Sequence, residues 1–251
     1  MCMEPMNFKS LNVINPIIRA STEAGFGRPT EIQTKMIPNI ISNKDVFCKT
    51  NNDGKKVGSF VIPIIQMMKK NMVDHRNIRV LIICATNEEV MKVDQYFDIF
   101  SEYLPISKFA VLDGELNGSQ IYQLRKGPDI LMATPERLHH LILQGHCDFS
   151  KIETVVIGNV SGLGELDLLQ ETSNILHRLP PKAQSVFYTE NISKSVKEFV
   201  RKFLKNPIEV NIPAEFSVKQ MASLPIRYLK EHADMISEQI TTTGNGRSFA
   251  F

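Results

Sequence analysis

Asp129-Ile130-Leu131-Met132-Ala133-Thr134-Pro135-Glu136-Arg137-Leu138 is the stretch that decides the fold. Its first half holds four apolar residues in a row, Ile130 to Ala133, without the in/out alternation of a half-exposed strand. That pattern predicts a short strand covered on both faces. The second half is a helix start, with Thr134 suited to the N-cap and Pro135 to the first helical position, where a missing N–H costs nothing. A buried strand that feeds straight into a helix is the first half of a crossover connection, and such connections build parallel sheets.

Working outward, residues 45–48, 80–85, 109–113, 154–157 and 185–189 give five further short runs rich in Val, Ile, Leu and Phe. Helix-like segments at 31–41, 58–70, 87–100, 120–125 and 193–204 separate them. The alternation predicts an α/β fold: a mostly parallel sheet with helices on both faces, in a single lobe. Ligands of such sheets sit at the carboxyl ends of the strands, so the loops after the strands are where chemistry is expected. Residues 207–213 read as an extended exit, which sets the domain at 1–213 and leaves 214–251 as a C-terminal extension or linker. The polar, glycine-containing tail at 241–251 is expected to be poorly ordered.

Bulk properties narrow the class. A net charge of +2 over 251 residues argues against a polybasic nucleic-acid binder but allows a local binding face. Cys2, Cys48, Cys84 and Cys147 are scattered with no CxxC pair, so neither a zinc site nor a disulfide framework is expected. A reducing intracellular compartment, the cytoplasm ahead of the nucleus, fits best. The most apolar run, 60–65, is too short to span a bilayer, and the N-terminus lacks the order of a signal peptide. His139 and His140, beside His75 or His146, form no metal-ligand set, and the basic side of helix 193–204 reads as solvated surface.

Four stretches together carry a family resemblance. Gly25-Phe26-Gly27-Arg28-Pro29-Thr30-Glu31-Ile32-Gln33, with Phe8 upstream, is similar to a Q motif and its distant aromatic. Ile37-Pro38-Asn39-Ile40-Ile41 followed by Asp45-Val46 resembles the entry to a first strand; 129–138 resembles motif Ib; 199–207 resembles the stretch after motif III. In order and spacing the chain resembles, from about residue 8 to 212, the N-terminal RecA-like domain of DEAD-box RNA helicases. A narrower likeness is to the Tudor-domain helicase-like proteins of the germline small-RNA pathway.

The resemblance implies a nucleotide site for ATP, ADP or AMP in which Gln33 pairs with adenine, Phe8 packs on the base, and Arg28 and Thr30 shape the pocket. A glutamine amide suits adenine because it offers a donor and an acceptor side by side. Equally open is a structural reading, with Thr30 capping helix 31–41 and Gln33 solvated in its first turn. The family's phosphate loop falls on Thr50-Asn51-Asn52-Asp53-Gly54-Lys55-Lys56-Val57. Lys56 stands at the lysine position, as a phosphate ligand or as a plain surface lysine near a helix start. Asp53 and Lys55 replace two glycines, and Val57 replaces the hydroxyl that would hold magnesium.

Motif II departs further. Where the family has Asp-Glu-Ala-Asp, the strand at 154–157 leads into Gly158-Asn159-Val160-Ser161. Gly158 cannot hold magnesium and Asn159 cannot serve as a base, so no catalytic residue is assigned and a Mg2+ cofactor is not expected. Motif III reads Thr189-Glu190-Asn191. On the RNA side, Thr86, Gly114, Thr134 and Arg137 match backbone-contacting positions of the family, while Asn87, Asp113 and Glu136 remove positive charge or add negative charge. Binding to RNA is therefore expected to be weak and independent of base sequence.

Nothing after Pro213 resembles a second RecA-like lobe, without which no cleft can close. Three functions follow as expectations. One is a degenerate helicase-like module that binds RNA, a nucleotide or proteins of an RNA-processing complex without efficient hydrolysis. Another is the first lobe of a working ATP-dependent RNA helicase. The last is a protein-interaction scaffold with no ligand.

Overall fold

The structure, a computed structural model, describes residues 7–51, 53–70, 77–112 and 118–213. In chain order the elements are α1 (Asn15–Glu23), α2 (Glu31–Ile41), β1 (Val46–Thr50), α3 (Asp53–Lys70), β2 (Val80–Ile83) and α4 (Asn87–Phe100). There follow β3 (Lys108–Val111), α5 (Gly118–Arg125), β4 (Ile130–Ala133), α6 (Pro135–Leu143) and β5 (Thr154–Ile157). The last are α7 (Val160–Glu165), α8 (Leu169–Leu176), β6 (Gln184–Thr189), α9 (Lys194–Phe203) and β7 (Ile208–Ile212). The chain divides into compact units at Ile212/Pro213, and the second unit beyond Pro213 lies outside the described residues. So does the tail expected to be poorly ordered.

All seven strands join one sheet in the order β3-β4-β2-β5-β6-β1-β7, and every neighbouring pair is parallel. Every residue of β2, β4 and β5 is buried, as their unbroken apolar runs predict. Successive side chains feed opposite faces. Val80 and Ile82 join a core with Ile37, Phe60 and Phe97 from α2, α3 and α4, whereas Leu81 and Ile83 join a second core with Leu138, Leu163 and Phe199 from α6, α7 and α9. Each large side chain so buried stabilises the fold by about 1.5–3 kcal/mol.

Four local expectations need correction. Residues 207–213 are not an extended exit: Ile208–Ile212 pairs along β1 as an edge strand, flanked by prolines that lack a ladder donor. The run at 109–113 is shifted; β3 spans Lys108–Val111 and, at the other sheet edge, has only Val111 fully buried. Helix α1 escaped the sequence reading because Ile14 gives it no side-chain cap. Finally, α3 starts at Asp53 and not at 58, so it takes in most of the stretch matched to a phosphate loop. A phosphate loop needs glycine to reach conformations other residues avoid, and with Lys55 in place of glycine the chain takes the helix instead.

Parallel strands end on a common edge. Thr50, Ile83, Ala133, Ile157 and Thr189 close their strands there, and the segments that follow them carry the candidate site. A larger cleft, about 690 Å³, lies at the other end, beside Asn43, Ile152 and Ala183, which precede β1, β5 and β6. In sheets of this kind the carboxyl edge is the functional one, so the larger volume is not the better guide.

Candidate functional site

Between the starts of α3 and α4 and the end of β5 lies a small cavity lined by Lys56, Val57, Phe60, Cys84, Glu89, Lys92, Val93 and Gly158. Its volume is about 30 Å³, far below the several hundred of an ordinary ligand pocket. Lys56 is 6% exposed, which corrects the reading of a surface lysine. The helix start around it is fixed from below: Ser59 Oγ donates to the Lys56 carbonyl at 2.6 Å and bonds the Tyr188 hydroxyl at 2.8 Å. Burial pushes that phenol well above its ordinary range, so it stays neutral. Burial also raises the Cys84 thiol, with Glu89 raising it further and Lys56 opposing, so both charges act on this cavity wall.

A magnesium ion held in the family's manner does not fit these residues. Val57 offers methyl groups and is 3% exposed, and Gly158 offers no side chain. Among the described residues no group of three or more His, Cys, Asp or Glu gathers as a metal site.

Asn159 is 8% exposed and serves as the N-cap of α7. Its Oδ1 accepts from Gly162 N–H at 3.0 Å and from Ser161 Oγ at 2.9 Å, while its Nδ2 donates to Glu190 Oε1 at 2.8 Å. Ser161 Oγ in turn accepts from the Glu190 and Asn191 amides at 3.1 and 3.3 Å. Both ends of the amide are thus engaged in joining the turn after β5 to the turn after β6. Glu165 ends α7, and Asp167 lies beyond it with a left-handed backbone.

The Q-motif residues divide. Thr30 caps α2, as one of the two readings has it, but Gln33 is 3% exposed and not solvated. Gln33 Oε1 accepts from Thr30 N–H at 2.9 Å in a capping box, and its Nε2 lies against Gly58, where an added Cβ would stand 2.7 Å away. Phe8, expected to stack on a base, is a core residue at 2% exposure. Arg28 is exposed, on the loop that Phe26 anchors against Tyr96 and Phe100.

On the RNA side, the segments after neighbouring strands β2 and β4 bring Thr86 and Thr134 to adjacent positions on the carboxyl edge. Thr86 Oγ1 caps α4 by accepting from Glu89 N–H at 3.3 Å. Thr134 sits at the N-cap of α6 with Pro135 after it, as expected, though its side chain makes no capping bond. Arg137 is turned inward: it is 5% exposed and donates from Nη2 to Gln120 Oε1 at 2.9 Å. Gly114 lies outside the described residues. No helix among the described residues is long and apolar enough to cross a membrane.

Two residues that matter here went unsingled in the sequence. Glu89 drew no attention in the sequence, although an acid in the first turn after the strand beside β5 is well placed to reach it. Ser161 was read as a lost aspartate, and it is the hub between the two turns.

Comparison with known proteins agrees with the fold. The family model described as DEAD/DEAH box helicase matches residues 30–199. A probable ATP-dependent RNA helicase ddx27 of Dictyostelium discoideum is 26% identical over 212 residues, covering 84% of this chain and 27% of that protein. The ATP-dependent RNA helicase dbp10 of Schizosaccharomyces pombe is 29% identical over 212 residues, covering 84% of this chain and 25% of that protein. The chain therefore spans about a quarter of the length of these relatives. The crystal structure of a DEAD box protein from the hyperthermophile Methanococcus jannaschii superimposes with a TM-score of 0.77 at 20% identity, covering 84% of this chain and 57% of that one. With a family match over residues 30–199 laid on a seven-stranded parallel sheet of RecA-like form, the chain belongs to the DEAD/DEAH box helicase family.

Proposed function

We propose that this lobe keeps the helicase fold as a binding module and does not hydrolyse ATP efficiently. The observation that carries the reading is the end of β5, where Gly158 has no side chain and the Asn159 amide is spent on Gly162, Ser161 and Glu190. Hydrolysis needs a metal-holding carboxylate and a group that takes a proton from water, and losing one such group commonly slows a reaction by a factor of about 10²–10⁴. Phosphates would also have to enter a cavity of about 30 Å³. What stays available to a nucleotide is the adenine end, near Arg28 and Thr30, and an adenine paired to Gln33 would have to draw that amide out of its capping box. RNA contact through Thr86, Gly114 and Thr134 would be weak and sequence-independent, which leaves proteins of an RNA-processing complex as partners of equal standing.

The second reading, a first lobe of a working ATP-dependent RNA helicase, is favoured by the relatives, which are named as such. Calorimetric titration of ATP, ADP and AMP with and without magnesium, followed by phosphate release, decides between them. The expected result is no turnover and no magnesium dependence. Magnesium-dependent ATP binding with turnover would establish the second reading instead. A single-stranded RNA titration against salt then tests the RNA face, with a shallow slope expected from few phosphate contacts.

A further inference from the structure

The missing acid at 158 has a neighbour that bears on it. A Cβ added to Gly158 would stand 3.9 Å from Glu89 Oε2, so a carboxylate from α4 is already in van der Waals range of the first atom a motif II side chain would add. That oxygen is held in place, accepting from the Ala85 N–H at 2.9 Å at the end of β2, the strand paired with β5. It lines the small cavity together with Lys56 and Lys92.

We propose that Glu89 is the resident anion of this cavity: delivered from α4, it supplies the negative charge facing Lys56 and Lys92 and keeps the phosphates of di- and triphosphates out. The cavity excludes them on two counts. Its volume, about 30 Å³, is far below that of ordinary ligand pockets, and a fixed carboxylate repels a polyphosphate anion at close range. An adenine-bearing ligand of this lobe would then be limited to species with little or no phosphate charge, such as a nucleoside. The inference rests on the reading that hydrolysis is lost, since a site that closes on its own acid has no need of a metal-bound triphosphate.

The test titrates inorganic pyrophosphate into the full chain and into two variants. Glu89→Gln removes the charge and keeps an acceptor for Ala85 N–H; Glu89→Ala removes the charge and opens the space. At least tenfold tighter pyrophosphate binding than wild type is expected for Glu89→Ala, with Glu89→Gln in between. If neither variant gains, the assignment of Glu89 is overturned. Should both lose binding, Glu89 is a ligand and not a barrier, which overturns it equally. A second measurement needs no ligand: Gly158→Asp should lower the melting temperature in the wild-type background and lower it less beside Glu89→Gln. Equal drops in the two backgrounds would mean that the carboxylate does not occupy this space. Phosphate release from ATP by the wild type would overturn the proposed loss of hydrolysis. Absence of any gain in the Glu89 variants, without turnover, overturns the present inference alone.

Discussion

Asn159 donates from Nδ2 to the Glu190 carboxylate over 2.8 Å, which fastens the turn after β5 to the turn after β6. A neutral amide here acts as a strut between two turns of the carboxyl edge. Its other end caps α7 through Gly162 N–H.

Removing that strut should cost stability. Asn159→Ala loses an N-cap, worth about 1 kcal/mol, and a hydrogen bond to a charged acceptor. A loss of about 2 kcal/mol in urea denaturation is expected. Asn159→Asp keeps the cap but sets two carboxylates against each other. The penalty of Asn159→Asp relative to wild type should therefore be present at neutral pH, where both are ionised, and shrink below about pH 4. A penalty that does not change with pH would mean the two side chains are not in contact.

Gly58 and Gln33 form a second coupled pair. Alanine favours a helix over glycine by about 1 kcal/mol, yet a Cβ at Gly58 would meet Gln33 Nε2 at 2.7 Å. Gln33 is pinned by its capping box, so the amide cannot swing away without losing the bond from Thr30. Gly58→Ala should destabilise by about 1 kcal/mol net, overpacking outweighing propensity. In a Gln33→Ala background the same change should be stabilising. A double-mutant cycle with coupling under about 0.5 kcal/mol would refute the contact.

The central sheet was readable because β2, β4 and β5 are covered on both faces and so carry uninterrupted apolar runs. The ends of the sheet were not, because an edge strand such as Ile208–Ile212 exposes three of its five residues and has no such run. The candidate site was legible only as a set of replaced residues. That Gly158 and Val57 carry neither carboxylate nor hydroxyl is visible in the letters alone. That Gln33 faces inward, that Arg137 bonds Gln120, and that Glu89 reaches the end of β5 depend on how α2, α5, α6 and α4 pack against their neighbours. No periodicity reports which way a side chain turns once its helix is in place.

Val57→Thr restores the family's hydroxyl and should gain nothing from it. Val57 is 3% exposed, and burying an unsatisfied hydroxyl costs about 1–3 kcal/mol. The expected outcome is a lower denaturation midpoint with no phosphate release from ATP, since Gly158 and Asn159 still supply neither metal carboxylate nor base. Turnover by this single variant would show that the site needs only its hydroxyl.

The cysteines of the described residues should be inert in the native state. Burial pushes the Cys48 and Cys147 thiols up to about 12, and raises Cys84 as well. The thiolate is the reactive form, so at pH 8 almost none is present. Thiol titration should count three more reactive groups after denaturation than before. Rapid labelling of Cys48 or Cys84 in the folded protein would contradict their burial.

Asp129 supplies a pH-dependent test of the sheet's other end. Burial pushes its carboxyl above the ordinary range, with Arg79 and a hydrogen bond from the Ser107 backbone opposing and Glu153 reinforcing. A carboxyl with a folded pKa above its unfolded one holds its proton more tightly when folded. Its contribution is therefore most favourable below the unfolded pKa and declines as pH rises through the folded one, so at neutral pH the ionised group costs stability. Asp129→Asn removes that cost while keeping an acceptor for Ser107. The variant should melt above wild type at neutral pH, and the advantage should fade as the pH falls through the raised folded pKa of Asp129 and be gone below the ordinary carboxylate value of about 4. The opposite sign, a lower melting temperature at neutral pH, would mean that attraction to the Arg79 guanidinium, itself bonded bidentately to Glu153 at 2.8 and 2.9 Å, outweighs desolvation.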